Sequence, residues 1–290
     1  MEALKKIFRN MGIPLTRGDK VLSGIDLAAM RGLEIGPLDK PTLSKHVANV
    51  KYVDFAPTNI LRNNYQNMPL VAADNIVEVD YVWDQGDLRE IIGEVRFEYI
   101  LASHVVEHAP DMIGWLKQLA SVLVENGVIS LVVPDKRYTF DRLRKITTIG
   151  DLLDAHVSGR RKPSVGQIFD HLSHHIQLDH MAAWRGEIDD STLKPMHDHG
   201  WAYMMARQAY EADTYYDTHC SVFTPTSFLN LIAEVMKLGL LGMEVASFFD
   251  TAENEIDFFV SLRKLPENLT VEERLHRQMQ SIAAALTKTA

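Results

Sequence analysis

Apolar positions in the first half of the chain fall into short runs, some alternating and some unbroken, separated by stretches with helical spacing. Leu33 and Ile35 flank Glu34 and lead into Gly36, a short strand breaking into a tight turn. Residues 51–55 follow as a second strand that ends on an acid, Asp54. Residues 76–83 alternate and are rich in β-branched side chains, which predicts a third strand, and 97–102 and 128–133 predict a fourth and a fifth. A helix over 19–30 is expected to lead into the first strand. Two more, over 57–65 and 111–124, connect later strands, the last stopping at Glu125-Asn126-Gly127. Strands that alternate with helices predict an α/β fold, a Rossmann-like doubly wound sheet that is mostly parallel.

Beyond residue 141 the pattern changes. Residues 142–220 show helical periodicity without a clear strand and hold eight of the twelve histidines, so they read as a helical insertion capping the sheet. Thr224-Pro225-Thr226 then opens a helix over 227–238, stopped by Gly239. Residues 243–249 and 255–263 form a terminal antiparallel hairpin around a turn at 251–254. The tail starts with a capping-box spacing, Thr270 to Glu273, and carries one apolar stripe of Val271, Leu275, Met279, Ile282 and Leu286. That helix is expected to pack on its own domain, pairing in a homodimer being the alternative. The chain thus divides into 1–141 with 221–266, an insertion at 142–220, and a terminal helix within 267–290.

Charge and cysteine usage narrow the function classes. A formal charge of −9 argues against a dedicated nucleic-acid binder, which would present a basic face to phosphates. The single cysteine, Cys220, excludes an intramolecular disulfide framework and a cysteine-only zinc site. The first ten residues mix charge and apolar groups too closely for a signal peptide, and no run of about 18 apolar residues suggests a membrane span. A cytoplasmic enzyme is expected.

The first turn points to a ligand class. Asp54 lies twenty residues after Glu34, the distance at which an acid in a doubly wound fold accepts from ribose hydroxyls. A dinucleotide site would need further glycines after Gly36, but Pro37, Leu38, Asp39, Lys40 and Pro41 follow. Pro37 has no N–H to offer a phosphate, and Asp39 would repel one. S-adenosylmethionine (SAM), a nucleoside ligand without phosphate, fits better. Asp84, at the end of the third strand, is expected either to face the adenine amino group or to cap the following helix.

With these stretches in hand, the chain resembles the class I SAM-dependent methyltransferases. Within them it is similar to a bacterial group associated with glycosyltransferases of surface-polysaccharide synthesis. The motifs are Leu-Glu-Ile-Gly-Pro-Leu at 33–38, Val-Asp-Phe at 53–55, Ala-Ser-His-Val-Val-Glu-His-Ala-Pro-Asp at 102–111, Pro-Asp-Lys-Arg-Tyr-Thr-Phe-Asp at 134–141 and Asp-Thr-His-Cys-Ser-Val-Phe-Thr-Pro at 217–225. The departure is Leu38 and Lys40, where the superfamily usually has its second and third glycines. The resemblance implies Glu34, Gly36 and Pro37 at the methionyl end of SAM, Asp54 and Phe55 at the ribose, and Asp84 at the adenine. It places Ala102, Ser103 and His104 beside the sulfonium.

Methyl transfer to a hydroxyl needs a placed nucleophile and a base, and histidine suits the base. His104 is the leading candidate, followed by His219 beside Asp217, and by His108, which shares a helical face with His104 if a helix starts there. His171, His174, His175 and His180 invite a metal reading, but without a Cys partner or His-Glu-x-x-His pattern they read better as a polar helical face, and no metal is expected. Asp135, Arg137 and Tyr138 follow the fifth strand and are candidates for holding the acceptor. A sugar or glycan oxygen is the expected acceptor. A non-sugar small molecule, or a non-catalytic binding module, is the alternative.

Overall fold

The computed structural model describes residues 15–289. One sheet of seven strands is built from β1 (Gly32–Ile35), β2 (Val50–Asp54), β3 (Tyr81–Val82), β4 (Phe97–Ser103), β5 (Leu123–Pro134), β6 (Met243–Phe249) and β7 (Asp257–Lys264). Their spatial order is β3-β2-β1-β4-β5-β7-β6. The first five pair in parallel, whereas β7 runs antiparallel between β5 and β6. The expected Rossmann-like sheet with a terminal antiparallel hairpin is therefore present. The strand order reverses between β1 and β4, and the crevice beyond their carboxyl ends is where such folds hold ligands.

The central position of β1 and β4 fits their burial on both faces, where the β4 side chains divide between two apolar clusters. Leu33, Phe97, Tyr99 and Ile100 are fully buried. Gly32 is required by a close approach: a Cβ there would lie 2.0 Å from the Tyr99 ring.

The expected long third strand is only two residues in length, because the backbone before it is spent elsewhere. After α1 (Arg17–Val21) and α2 (Thr58–Tyr65), side chains of α2 claim that segment. Thr58 Oγ1 donates to Val77 O and accepts from Val79 N, Arg62 donates to Ile76 O, and Val77 N donates to Leu38 O. The helix expected over 19–30 is confined to α1, capped by the reciprocal Thr16–Asp19 box. Asp87, not Asp84, caps α3 (Leu88–Ile92) by accepting from Arg89 N. Helix α4 (Met112–Ser121) ends before the expected stop, and Asn126, at φ 63°, turns the chain inside β5.

The insertion is helical, as expected, but its parts differ in how they pack. Leu152 of α5 (Ile149–Val157) joins the main core, so this helix belongs to the layer beside α4. A separate cluster of Ile168, Leu172, Ala202, Ala206 and Ala209 holds α6 (Val165–His174) against α8 (His199–Glu211), with the short α7 (His180–Trp184) between them in sequence.

Helix α9 (Pro225–Lys237) and β6 receive the terminal helix α10 (Val271–Leu286), which packs on its own domain. Gln278 donates to Leu241 O and Met243 O, Ser281 Oγ accepts from the edge-strand amide of Val245, and Ile282 and Ala285 are buried. Val271, expected in the apolar stripe, is exposed. Among the described residues no helix is long and apolar enough to cross a membrane.

Candidate active site

The turn after β1 is built from inside outward. Gly36 sits at φ 63°, and its N–H donates to Val53 O. A Cβ there would be strained and 3.2 Å from the Val105 side chain, which ties this turn to the segment after β4. Pro37 is buried and Leu38 also adopts a left-handed φ of 45°, a conformation its side chain disfavours. Glu34, though expected at the methionyl end, has both oxygens engaged: Oε1 accepts from Thr42 N at 2.6 Å and Oε2 from Leu43 N at 3.2 Å. Its carboxylate thus braces the loop that carries the turn.

Asp54 is different. It is 5% exposed at the end of β2; Oδ1 accepts from Phe55 N at 2.8 Å, and Oδ2 is buried without a well-formed hydrogen bond, the Leu38 N–H standing near the carboxylate. Burial, opposed by backbone N–H groups of Phe55 and Leu38, raises its pKa to about 6. An orphaned carboxylate oxygen at this strand end matches the donors of a ribose, so the residues present fit SAM. The Phe55 side chain and Asp84 are exposed, Ala102 is buried in the strand beneath, and Ser103 Oγ accepts from Arg17 Nη2 at 3.2 Å.

Beyond β4 the backbone breaks at His104, which holds φ 56° instead of starting a helix. A 3₁₀ turn at Val106–His108 follows, so the expected shared helical face of His104 and His108 does not form. Nε2 of His104 lies 3.0 Å from Asp257 Oδ1, and Nδ1 lies 3.5 Å from Glu107 Oε1. Burial alone would push this imidazole down, but the two carboxylates outweigh it and raise its pKa to about 10. His104 is therefore a cation near neutrality, a state that cannot accept a proton.

The other two histidines converge on Glu107. His108 Nδ1 is 2.8 Å from Asp217 Oδ1, and its ring meets that of His219 edge-on at 4.7 Å between centroids. Buried His219 pairs through Nδ1 with Asp141, which also receives Arg144 Nη1 at 2.8 Å. Burial alone would raise the Asp141 pKa, but His219 and Arg144 hold it well below the usual carboxylate range. Arg144 continues to Asp170 at 2.8 Å. Glu107 is fully buried, and neither carboxylate oxygen has a hydrogen-bond partner. Tyr65 links the two halves of the site: burial raises its pKa, and the charges of Asp217 and Asp54 add to the effect.

The remaining candidates are committed elsewhere. Asp135 is fully buried and receives Arg137 Nε and Nη2 together with Thr251 Oγ1. Tyr138 stacks flat on Trp184 at 4.0 Å, and Trp184 Nε1 donates to Glu255 O. These residues fasten the turn after β5 to the hairpin, and the Arg137 fork is already filled by a carboxylate. The four histidines of 171–180 do not gather on one point: His171 and His175 lie around Phe140, whereas His174 pairs with Asp170. His171 is pushed down to about 3, first by burial and then by Arg144.

Glu107, Asp141 and Asp257 were not singled out in the sequence as parts of this site. Glu107 was visible between two candidate histidines; Asp141 and Asp257 act across 78 and 153 residues of chain, for which no local signal exists.

No curated protein matches this chain. Among solved structures it is similar to the CcbJ methyltransferase from Streptomyces caelestis at 14% identity and a TM-score of 0.43, covering 86% of this chain and 89% of that one. A CurJ carbon methyltransferase matches at 12% identity and a TM-score of 0.39, over 84% of this chain and 51% of that one. Human N-acetylserotonin methyltransferase in complex with SAM matches at 12% identity and a TM-score of 0.38, over 91% and 55% respectively. The chain thus spans about half the length of the latter two. A family profile described as a methyltransferase domain matches residues 15–235, and on that match the chain belongs to the methyltransferase-domain family.

Proposed function

We propose that the enzyme methylates an oxygen of a polyhydroxylated acceptor, a sugar, glycan or related metabolite. The observation that carries this reading is the lining beyond the β4 end: the bare carboxylate of Glu107 with the imidazoles of His108 and His219, each backed by an aspartate. Such a surface favours an acceptor rich in hydroxyls over an apolar ring, because an apolar group there would strand buried polar atoms. The resemblance of the chain's motifs to the bacterial group associated with surface-polysaccharide synthesis points to the same class.

Asp54 holds the ribose of SAM, Ala102 and Ser103 flank the sulfonium, and the Glu107–His108–His219 group receives the acceptor hydroxyl and lowers its hold on its proton. The hydroxyl gives its proton to water, the O–CH₃ bond forms as the S–CH₃ bond breaks, and the electron pair passes to sulfur, leaving S-adenosylhomocysteine. His104, held as an imidazolium, is a fixed positive group beside this centre and not the base. Transfer of labelled methyl from SAM to a panel of free and nucleotide-linked sugars, against phenolic and amine acceptors, tests the reading. Label in the sugars that falls about 10²- to 10⁴-fold in His219→Ala is expected. Label confined to phenols or amines would refute it.

A further inference from the structure

We propose that Glu107, His108 and His219 form a binding site for one divalent transition-metal ion, zinc being the best fit. The proposal rests on the assignment of this cluster to the acceptor side and deepens it. One ligand atom from each residue lies within 4.8 Å of the other two. Donors about 2.1 Å from a shared tetrahedral ion stand roughly 3.4 Å apart, so the three groups need to draw together by an ångström or so to close on an ion.

Two observations separate this cluster from an incidental grouping. The first is the way the imidazoles are held. Each spends Nδ1 on a carboxylate, His108 on Asp217 and His219 on Asp141, which leaves Nε2 of each as the coordinating nitrogen. An aspartate behind a ligating histidine is the usual device for fixing ring orientation and tautomer. On the His219 side the support continues through Arg144 to Asp170. The second is Glu107, a carboxylate at 0% exposure with no hydrogen bond to either oxygen. His104 lies 3.5 Å from Oε1 and also pairs with Asp257, which Arg17 reaches from its other side, and His108 adds to the field at Glu107. A buried carboxylate without a hydrogen bond is costly; His104 offsets part of that cost from one side, and a cation on the side of His108 and His219 would offset more.

Two imidazoles and one carboxylate are the donor set of many zinc enzymes, and also suit iron(II), cobalt(II) and manganese(II). The nitrogen ligands disfavour calcium and magnesium. Three protein ligands leave coordination positions for an acceptor hydroxyl, or for two neighbouring hydroxyls. The ion supplies Lewis acidity, so the coordinated hydroxyl gives its proton to water before its oxygen takes the methyl group. This places vicinal diols among the favoured acceptors.

The full-length protein, stripped with chelator, is titrated with Zn²⁺ by calorimetry and with Co²⁺ by visible absorption. One ion per chain is expected, with a cobalt spectrum of a four- or five-coordinate nitrogen–oxygen site. Glu107→Gln and His108→Ala should each weaken binding at least 10-fold. Asp141→Asn, which leaves the ligands in place but loosens His219, should weaken it about 10- to 100-fold. Thermal melts of each variant show which of them remain folded, and exposed-side His108→Ala keeps the test open if a buried variant unfolds. Absence of stoichiometric binding, or binding unchanged in both Glu107→Gln and His108→Ala, overturns the proposal. S-adenosylhomocysteine is titrated into the same stripped samples. Intact cofactor affinity without metal binding overturns the metal site while leaving the methyltransferase reading standing. Loss of cofactor affinity in the unsubstituted protein would overturn that reading itself.

Discussion

Asp54 gives the sharpest test of the cofactor assignment, because its ionisation and its ligand are coupled. In the free protein its pKa is about 6, against an ordinary 3.8, with one oxygen on Phe55 N and the other bare. Ribose hydroxyls donate to the ionised form, so binding selects the carboxylate. The apparent dissociation constant then scales as 1 + 10^(pKa − pH). It is expected to rise about 10-fold between pH 8 and pH 5, one unit below the pKa.

Binding near pH 6 should release about half a proton per cofactor, since half the sites are protonated there. Calorimetry with S-adenosylhomocysteine, in buffers of different ionisation enthalpy, measures both quantities. Asp54→Asn removes the titration and a charge-assisted hydrogen bond worth about 1.5–3 kcal/mol, or about 10- to 150-fold in affinity. The variant should therefore bind weakly and show no slope across this range. A wild-type affinity that is flat from pH 8 to 5, or an asparagine variant with the wild-type slope, would falsify the ribose assignment. For the fold itself the sign is opposite. The native state holds this proton more tightly than the unfolded chain, so the contribution of Asp54 to stability falls as pH rises from 3.8 to about 6.

Two further outcomes follow from the same geometry. The raised pKa of His104 means that its imidazolium stabilises the fold fully below the ordinary value of 6.5, and that this contribution is lost as pH rises toward about 10. His104→Asn, chosen because asparagine tolerates a left-handed φ, should lower the melting temperature at pH 6 by more than at pH 10; an equal loss at both would remove the ion pair as the cause. Gly32→Ala places a methyl 2.0 Å from the ring of fully buried Tyr99, and should cost about 3 kcal/mol or about 6–12 °C in Tm by circular dichroism. A near-neutral effect would mean that the two strands separate more easily than their register suggests.

Local periodicity revealed most of the sheet because β1, β4 and β5 are largely buried and carry that burial as short apolar-rich runs interrupted by few polar residues. The third strand was overread for a definite reason. Its alternation is real, but Thr58 and Arg62 take the backbone groups that a longer ladder would have used. The position of Asp54 at the end of β2 was legible because strand-end acids announce themselves by spacing. The His104–His108 pair was misread as helical because nothing in the residue types signals a left-handed break at a histidine. Arg137 was read as free for a ligand although Asp135, two residues earlier, was within reach of its fork. Ion pairs that join residues distant in sequence, such as Asp141 with His219, carry no local pattern at all.

Two carboxylates organise the site, and their contrast separates its two tasks. Asp54 keeps one oxygen satisfied and one bare, and burial brings it near the point of protonation. That arrangement suits a neutral donor such as a hydroxyl, which needs an acceptor but does not neutralise a charge. Glu107 has neither oxygen hydrogen-bonded, lies deeper, and stands among imidazoles whose far nitrogens are already anchored. His104 faces one oxygen of Glu107 at 3.5 Å, and the proposed cation would sit on the side of the carboxylate that meets His108 and His219. On these two proposals the end of β2 takes a sugar of the cofactor and the segment after β4 a cation, with the methyl group crossing between them.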